Sequence, residues 1–198
     1  MIDHILHFWF GDSDGSNIDP QARKRWFSGT KTLDRQITES FGGAWQQAIA
    51  GELDDWLATP RGRLALVVLV DQMGRNMHRG TAAAFSGDEL ARQWLKQGLA
   101  ADQHFSLTLI ERSFFYMPLQ HSELLADQLQ SVALFEQLLA EAPDSLRGYL
   151  QSSLDYARHH AEIIERFNRF PHRNAALGRE STDEEQLYLE QGGARFGQ

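Results

Sequence analysis

The stretch TPRGRLALVVLVDQMGRNMHRG, residues 59–80, decides the fold. Its centre, residues 64–70, is aliphatic at every position. By composition alone that run reads equally well as a buried strand. Two features select a helix instead. Thr59 followed by Pro60 is an N-cap and first-turn signal. Beyond the run, Asp71, Arg75 and Arg79 recur at i, i+4, i+8, which keeps helical spacing. The expectation is a buried helix over 60–79 that turns polar at its end.

Working outward, helical signals recur on both sides. Further helices are expected over about 2–10, 20–27, 31–51, 87–101, 107–117, 121–141, 144–169 and 183–191. Asp19 before Pro20 repeats the N-cap signal, and Ser86 with Glu89 and Thr182 with Glu185 have capping-box spacing. Asp144 is placed to cap the helix that follows, and Gly80, Gly178 and Gly192 punctuate helices. In 144–169, Leu146, Tyr149, Leu150, Leu154, Ala157, Ala161, Ile164 and Phe167 make one apolar face. In 121–141, Leu125, Leu129, Val132, Phe135, Leu138 and Leu139 do the same. No Asn-Gly or Asp-Gly turn separates alternating apolar runs, so hairpins are not signalled. The fold class read from this pattern is all-α, and the two longest gaps, 11–19 and 171–182, do not resemble linkers. A single all-helical domain over 1–198 is therefore expected.

Composition bounds the function classes. The 198 residues are 42% apolar, ample for a core, and contain no cysteine, which excludes disulfides and thiolate metal sites. The net charge of −8 argues against a nucleic-acid partner. The longest aliphatic run has seven residues and cannot span a bilayer, and the first residues do not read as a signal peptide. No membrane association and a cytoplasmic location are the expectations. Arginine outnumbers lysine 16 to 3, which suits bidentate recognition of carboxylate or phosphate.

Three polar stretches carry candidate chemistry. In DQMGRNMHRG, residues 71–80, Asp71 and Arg75 form an intrahelical pair on one reading, and Arg75, Asn76 and Arg79 form an anion clamp on the other. In YMPLQHSELLADQ, residues 116–128, Pro118 is expected to break a helix. His121 is a candidate proton carrier there. Glu123 and Asp127, one turn apart, serve either as an acid/base pair or as partners of the arginines, the second being preferred. In RFNRFPHRN, residues 166–174, Arg169, His172, Arg173 and Asn174 crowd around Phe167, Phe170 and Pro171. His160, within YARHHAEIIERF, leans toward an apolar face and reads first as a satisfied core histidine. Glu162 and Arg166 are spaced for a surface ion pair. No metal site and no cofactor fingerprint appear, and GDSDG at 11–15 lacks the strand-to-helix setting of a nucleophile elbow.

Four stretches in order, FWFG at 8–11, DQMGRNMHRGTAAAF at 71–85, YMPLQHSE at 116–123 and RFPHRNAALGRESTDEE at 169–185, resemble the bacterial family known as domain of unknown function 924. The resemblance runs from about residue 5 to 190. It implies an all-helical, tetratricopeptide-like fold, with antiparallel helix pairs in a right-handed superhelical stack, and it implies no activity. Met73 and Gly74 stand where the family usually has an aromatic residue and a proline, and Asn168 where it tends to carry glycine.

The functional expectation is a small anionic ligand (a carboxylate, a phosphate or a peptide C-terminus) bound where Asp71, Arg75, Asn76, Arg79, Arg169, His172, Arg173 and Asn174 meet the His121–Glu123 turn. Alternatives are a helical-repeat scaffold for a protein or peptide, an enzyme using His121 or His160 as general base with Glu123 nearby, and a purely structural ion-pair network. The sequence leaves the oligomeric state open.

Overall fold

The computed structural model describes residues 1–196, and the last two residues of the expected 1–198 domain lie outside the described part. Among the described residues every regular element is helical. In chain order the α-helices are α1 Ile2–Phe10, α2 Pro20–Trp26, α3 Lys31–Ile49, α4 Pro60–Val67, α5 Gly74–Met77, α6 Asp88–Ala100, α7 Leu109–Gln120, α8 Leu125–Glu141, α9 Asp144–Phe167 and α10 Asp183–Glu190. Short 3-10 turns sit at Asp54–Ala58, Ala82–Phe85, Gln103–Ser106 and Pro171–Arg173.

The deciding stretch is indeed helical, and its aliphatic centre is fully buried. The aliphatic residues 64–70 are at most 2% exposed, and α1, α3, α6 and α7 pack around them. Thr59 caps the start by accepting the Gly62 N–H. What the pattern did not predict is a π-helical turn at Val68–Met73 that joins α4 to α5. There the Gly74 N–H reaches back to Leu69 O, one residue farther than an α-helical bond. The extra residue rotates everything after it. The helix ends at Met77 rather than 79, so Arg79 lies beyond it and off the face of Asp71, whereas Arg75 still reaches that carboxylate. Glycine at 74 lets the Trp45 indole close on the backbone: a Cβ there would lie 2.8 Å from Trp45 Nε1.

The polar end of the molecule is built differently from the apolar one. The large core takes in α1, α3, α4, α6, α7, α8 and most of α9. A separate small cluster of Ile163, Ile164 and Phe170, with Phe167, Tyr188, Ala194 and Phe196 against it, joins the end of α9 to α10 and the tail. Asn168, in the left-handed region at φ 55°, ends α9 where its tolerance of that conformation allows. Thr182 and Glu185 form the expected capping box on α10.

Several local expectations need correction. Pro118 lies inside α7, which continues to Gln120, so the break falls after the proline. α8 then begins at Leu125, leaving His121 and Glu123 in the connection. Leu125 and Leu129 are 40% and 59% exposed. The inner face of α8 begins with Asp127 and Gln128 instead, because Gln128 Nε2 donates to the open carbonyls of Gln120 and Ser122. Ser86 makes no capping box, its hydroxyl donating to Ala83 O. Asp144 is the first residue of α9 rather than its cap. Glu162 pairs with His159, and Arg166 pairs with Glu184.

Candidate functional site

Residues from five parts of the chain converge where the two apolar clusters meet. Arg75 comes from α5, His121 from the end of α7, His160 from α9, His172 and Arg173 from the 3-10 turn, and Phe196 from the tail. They line a cavity of about 30 Å³. By volume this is room for about two water molecules.

The two guanidinium groups are fixed by one carboxylate. Asp88, the first residue of α6, accepts from Arg75 Nη2 at 2.7 Å and from Arg173 Nη1 at 3.0 Å. Arg75 also reaches Asp71 Oδ1 at 3.4 Å, and Arg173 Nη2 donates to His121 O at 2.9 Å. Aromatic faces complete the clamp: Arg173 lies 4.7 Å from the Phe85 centroid and 4.5 Å from Phe170, and Arg75 lies 5.5 Å from Phe85. Burial works against charge on Arg75, but Asp88 and Asp71 more than offset it and raise its pKa. Arg173 has less compensation. Burial, then the neighbouring Arg75 cation, bring it down to about 10, still charged at neutral pH.

Three imidazoles face these cations. His121 Nδ1 lies 2.7 Å from Asp71 Oδ1. Asp71 is fully buried, which opposes its ionisation, yet His121, Arg75 and the Gln72 amide hold it far below the usual carboxylate range. Burial, then Arg75, depress His121 despite Asp71. His160 Nδ1 lies 2.7 Å from Tyr156 O; burial, then His121, push it down to about 3. His172 is also brought to about 3, by burial and then by Arg173 and Arg75. The Phe196 ring stacks on His160, with centroids 3.9 Å apart and planes 22° apart.

Three nitrogens around this one cavity are buried without a hydrogen-bond partner: Arg75 Nε, Arg173 Nε and His172 Nδ1. Buried donors and acceptors are nearly always satisfied, since leaving one unpaired costs roughly 1–3 kcal/mol. These three lie close together on residues that line the one cavity.

The other sequence candidates lie elsewhere, each in its own ion-pair knot. Asn76 Nδ2 and Arg79 Nε donate to Asp34 on α3 at 2.8 and 2.9 Å. Arg169 grips Glu185 through two bonds of 2.6 and 2.7 Å, and Asn174 Nδ2 joins it at 3.2 Å. Glu123 accepts from Arg179 at 2.7 and 3.0 Å and from the Phe170 N–H at 2.7 Å. Asp127 accepts from Arg92, Lys96 and Ser122. Glu123 and Asp127 are thus bound to separate partners, so they form no acid/base pair, and those partners are Arg179, Arg92 and Lys96 rather than the arginines of 71–80 or 166–174. Among the described residues no group of histidine and carboxylate ligands could hold a metal ion, and no helix is long and apolar enough to cross a membrane.

Sequence reasoning missed Asp88 and Phe196. An acid in the first turn of a helix is expected for its fit to the helix dipole whatever it touches, so Asp88 gave no separate signal. Phe196 sits in a Gly-rich tail with no periodicity to place it.

The chain is thus an all-helical protein with a small arginine- and histidine-lined cavity at the seam of two apolar clusters. Over residues 5–193 it belongs to the family described as bacterial protein of unknown function, DUF924. It is similar to the solved structure of a protein of unknown function from Agrobacterium tumefaciens, at 34% identity over 96% of this chain and 97% of that one, with a TM-score of 0.82. No curated protein matches it.

Proposed function

We propose that the protein binds a small anion in the cavity between Arg75 and Arg173. The observation that carries this reading is the trio of buried, unpaired nitrogens, two of them on guanidinium groups. An unmatched N–H on a cation is best satisfied by an anionic acceptor, whose charge-assisted bond is about twice as strong as a neutral one. The size of the cavity sets the first step. About 30 Å³ admits water or a monatomic ion, so a carboxylate or phosphate group enters only when Phe196 leaves the His160 ring. The tail carrying Phe196 follows Gly192 and Gly193, whose lack of a Cβ makes such a swing cheap.

The test is anion binding to the purified protein, by calorimetry and thermal shift, with phosphate, sulfate, acetate and glycolate as probes. Arg173→Met keeps much of the side-chain volume and removes one donor set. Wild type is expected to be stabilised by at least one probe, and a folded Arg173→Met protein is expected to bind it at least tenfold more weakly. Equal binding by both proteins would place the anion elsewhere.

A further inference from the structure

The partners of the histidines settle which nitrogens carry protons. Tyr156 O is a carbonyl and can only accept, so His160 Nδ1 donates across its 2.7 Å contact. Asp71 is an ionised carboxylate, equally unable to donate, so His121 Nδ1 donates across its own 2.7 Å contact. A neutral imidazole with its proton on Nδ1 has a bare lone pair on Nε2. Nε2 is therefore the nitrogen that each ring leaves to the cavity it lines, and the two ring centroids are 6.3 Å apart. The same cavity is lined by Arg75 and Arg173, each with an unpaired Nε–H.

The cavity thus offers donors and acceptors together. A bare oxoanion brings acceptors only. It would satisfy the arginines and set its own lone pairs against those of His121 and His160. An anion that also carries an O–H satisfies both sets at once. We infer that the ligand of this cavity is an oxoacid anion bearing its own hydrogen-bond donor, an O–H on or beside the anionic group, as in a hydroxycarboxylate or a hydrogen phosphate. The inference rests on the anion-binding reading above and adds the chemical class.

Two matched pairs of probes separate the class from the binding itself. Glycolate differs from acetate by one hydroxyl group, and phosphate at about pH 8 keeps an O–H that sulfate lacks; at that pH the imidazoles stay neutral. In whichever pair binds, the hydroxyl-bearing member is expected to bind tighter by on the order of tenfold or more, because its rival leaves the imidazole acceptors unpaired in the complex. The pair that binds also tells a carboxylate from a phosphate. A preference smaller than tenfold within a binding pair, or one reversed in sign, overturns the assignment while leaving anion binding intact. If none of the four binds, the anion reading itself fails. A variant-free measurement stands beside this. Nitrogen-15 spectra of the histidine rings are expected to show His121 and His160 protonated on Nδ1, and a proton on Nε2 of either ring overturns the inference.

Discussion

Asp88 is the residue on which the cavity depends most. It is the shared anchor of Arg75 and Arg173, whose side chains are 11% and 7% exposed. Removing its charge leaves two buried cations with one less partner, and breaking such a pair from one side costs roughly 3 kcal/mol. Asp88→Asn is therefore expected to lose about that much stability in low-salt urea unfolding. Added phosphate or glycolate should restore part of it, because an anion between the guanidinium groups substitutes for the missing carboxylate. A loss with no recovery by any anion would mean that the arginines serve only the fold. Arg75, His121 and Arg173 could be singled out from the sequence because each stands at the end of an apolar stretch, where a charged group needs a partner. Their company could not. The π-helical turn before α5 sets which way Arg75 faces, while Asn76, the next residue round the helix, and Arg79, past its end, go to Asp34. That turn opens in the aliphatic run 64–70, where one extra residue leaves the apolar pattern unchanged.

At the scale of elements, α10 is the weakly attached one. Its contacts with the rest run through the small cluster around Phe170, the Glu185 carboxylate and the exposed Arg166–Glu184 pair. Glu185 is 2% exposed and holds Arg169, Asn174 and the Thr182 N–H together. The Arg169 bonds, against some burial cost, bring its pKa down to about 2. Glu185→Ala removes the cap and the anchor in one step. Hydrogen exchange is expected to rise over residues 171–196 and to stay unchanged in α4 and α7, since subglobal opening follows contact density. The tail bearing Phe196 opens with α10, so anion association should speed up in the same variant. Uniform acceleration across the whole chain would show instead that α10 folds as one unit with the large core. The capping box of α10 was legible because Thr and Glu at that spacing have a local mechanism. The break before α8 was misplaced because Pro118 was read as a stop, while the helix around it is held by burial of Phe114, Phe115 and Leu119.

Across the whole molecule the chain keeps several histidines neutral by burying them. His160 and His172 are brought down to about 3, and His121, His78 and His104 are lowered too, burial being the first cause in each. In the unfolded chain each would titrate near its ordinary value of about 6.5. Between that value and the folded one, the unfolded chain takes up protons that the folded chain refuses, so acid favours unfolding. The histidine contribution is thus complete above about pH 6.5 and is lost as pH falls from there toward about 3. Each fully refusing histidine steepens the loss by about 1.4 kcal/mol per pH unit. Asp71 and Glu185, held below the carboxylate range, add their own loss at lower pH. Urea unfolding across this range should show stability falling well before carboxylates titrate. His172→Gln, which removes a ring nitrogen that has no partner in the chain, should flatten the slope by up to one proton's worth. A bound anion between Arg75 and Arg173 would raise the histidine pKa values and oppose the same loss, so the acid limb should also flatten when the preferred probe is present. A wild-type stability that stays level from about pH 7 to 5 would mean that the histidines at the seam take up protons as freely as in the unfolded chain, and their burial there would have to be abandoned.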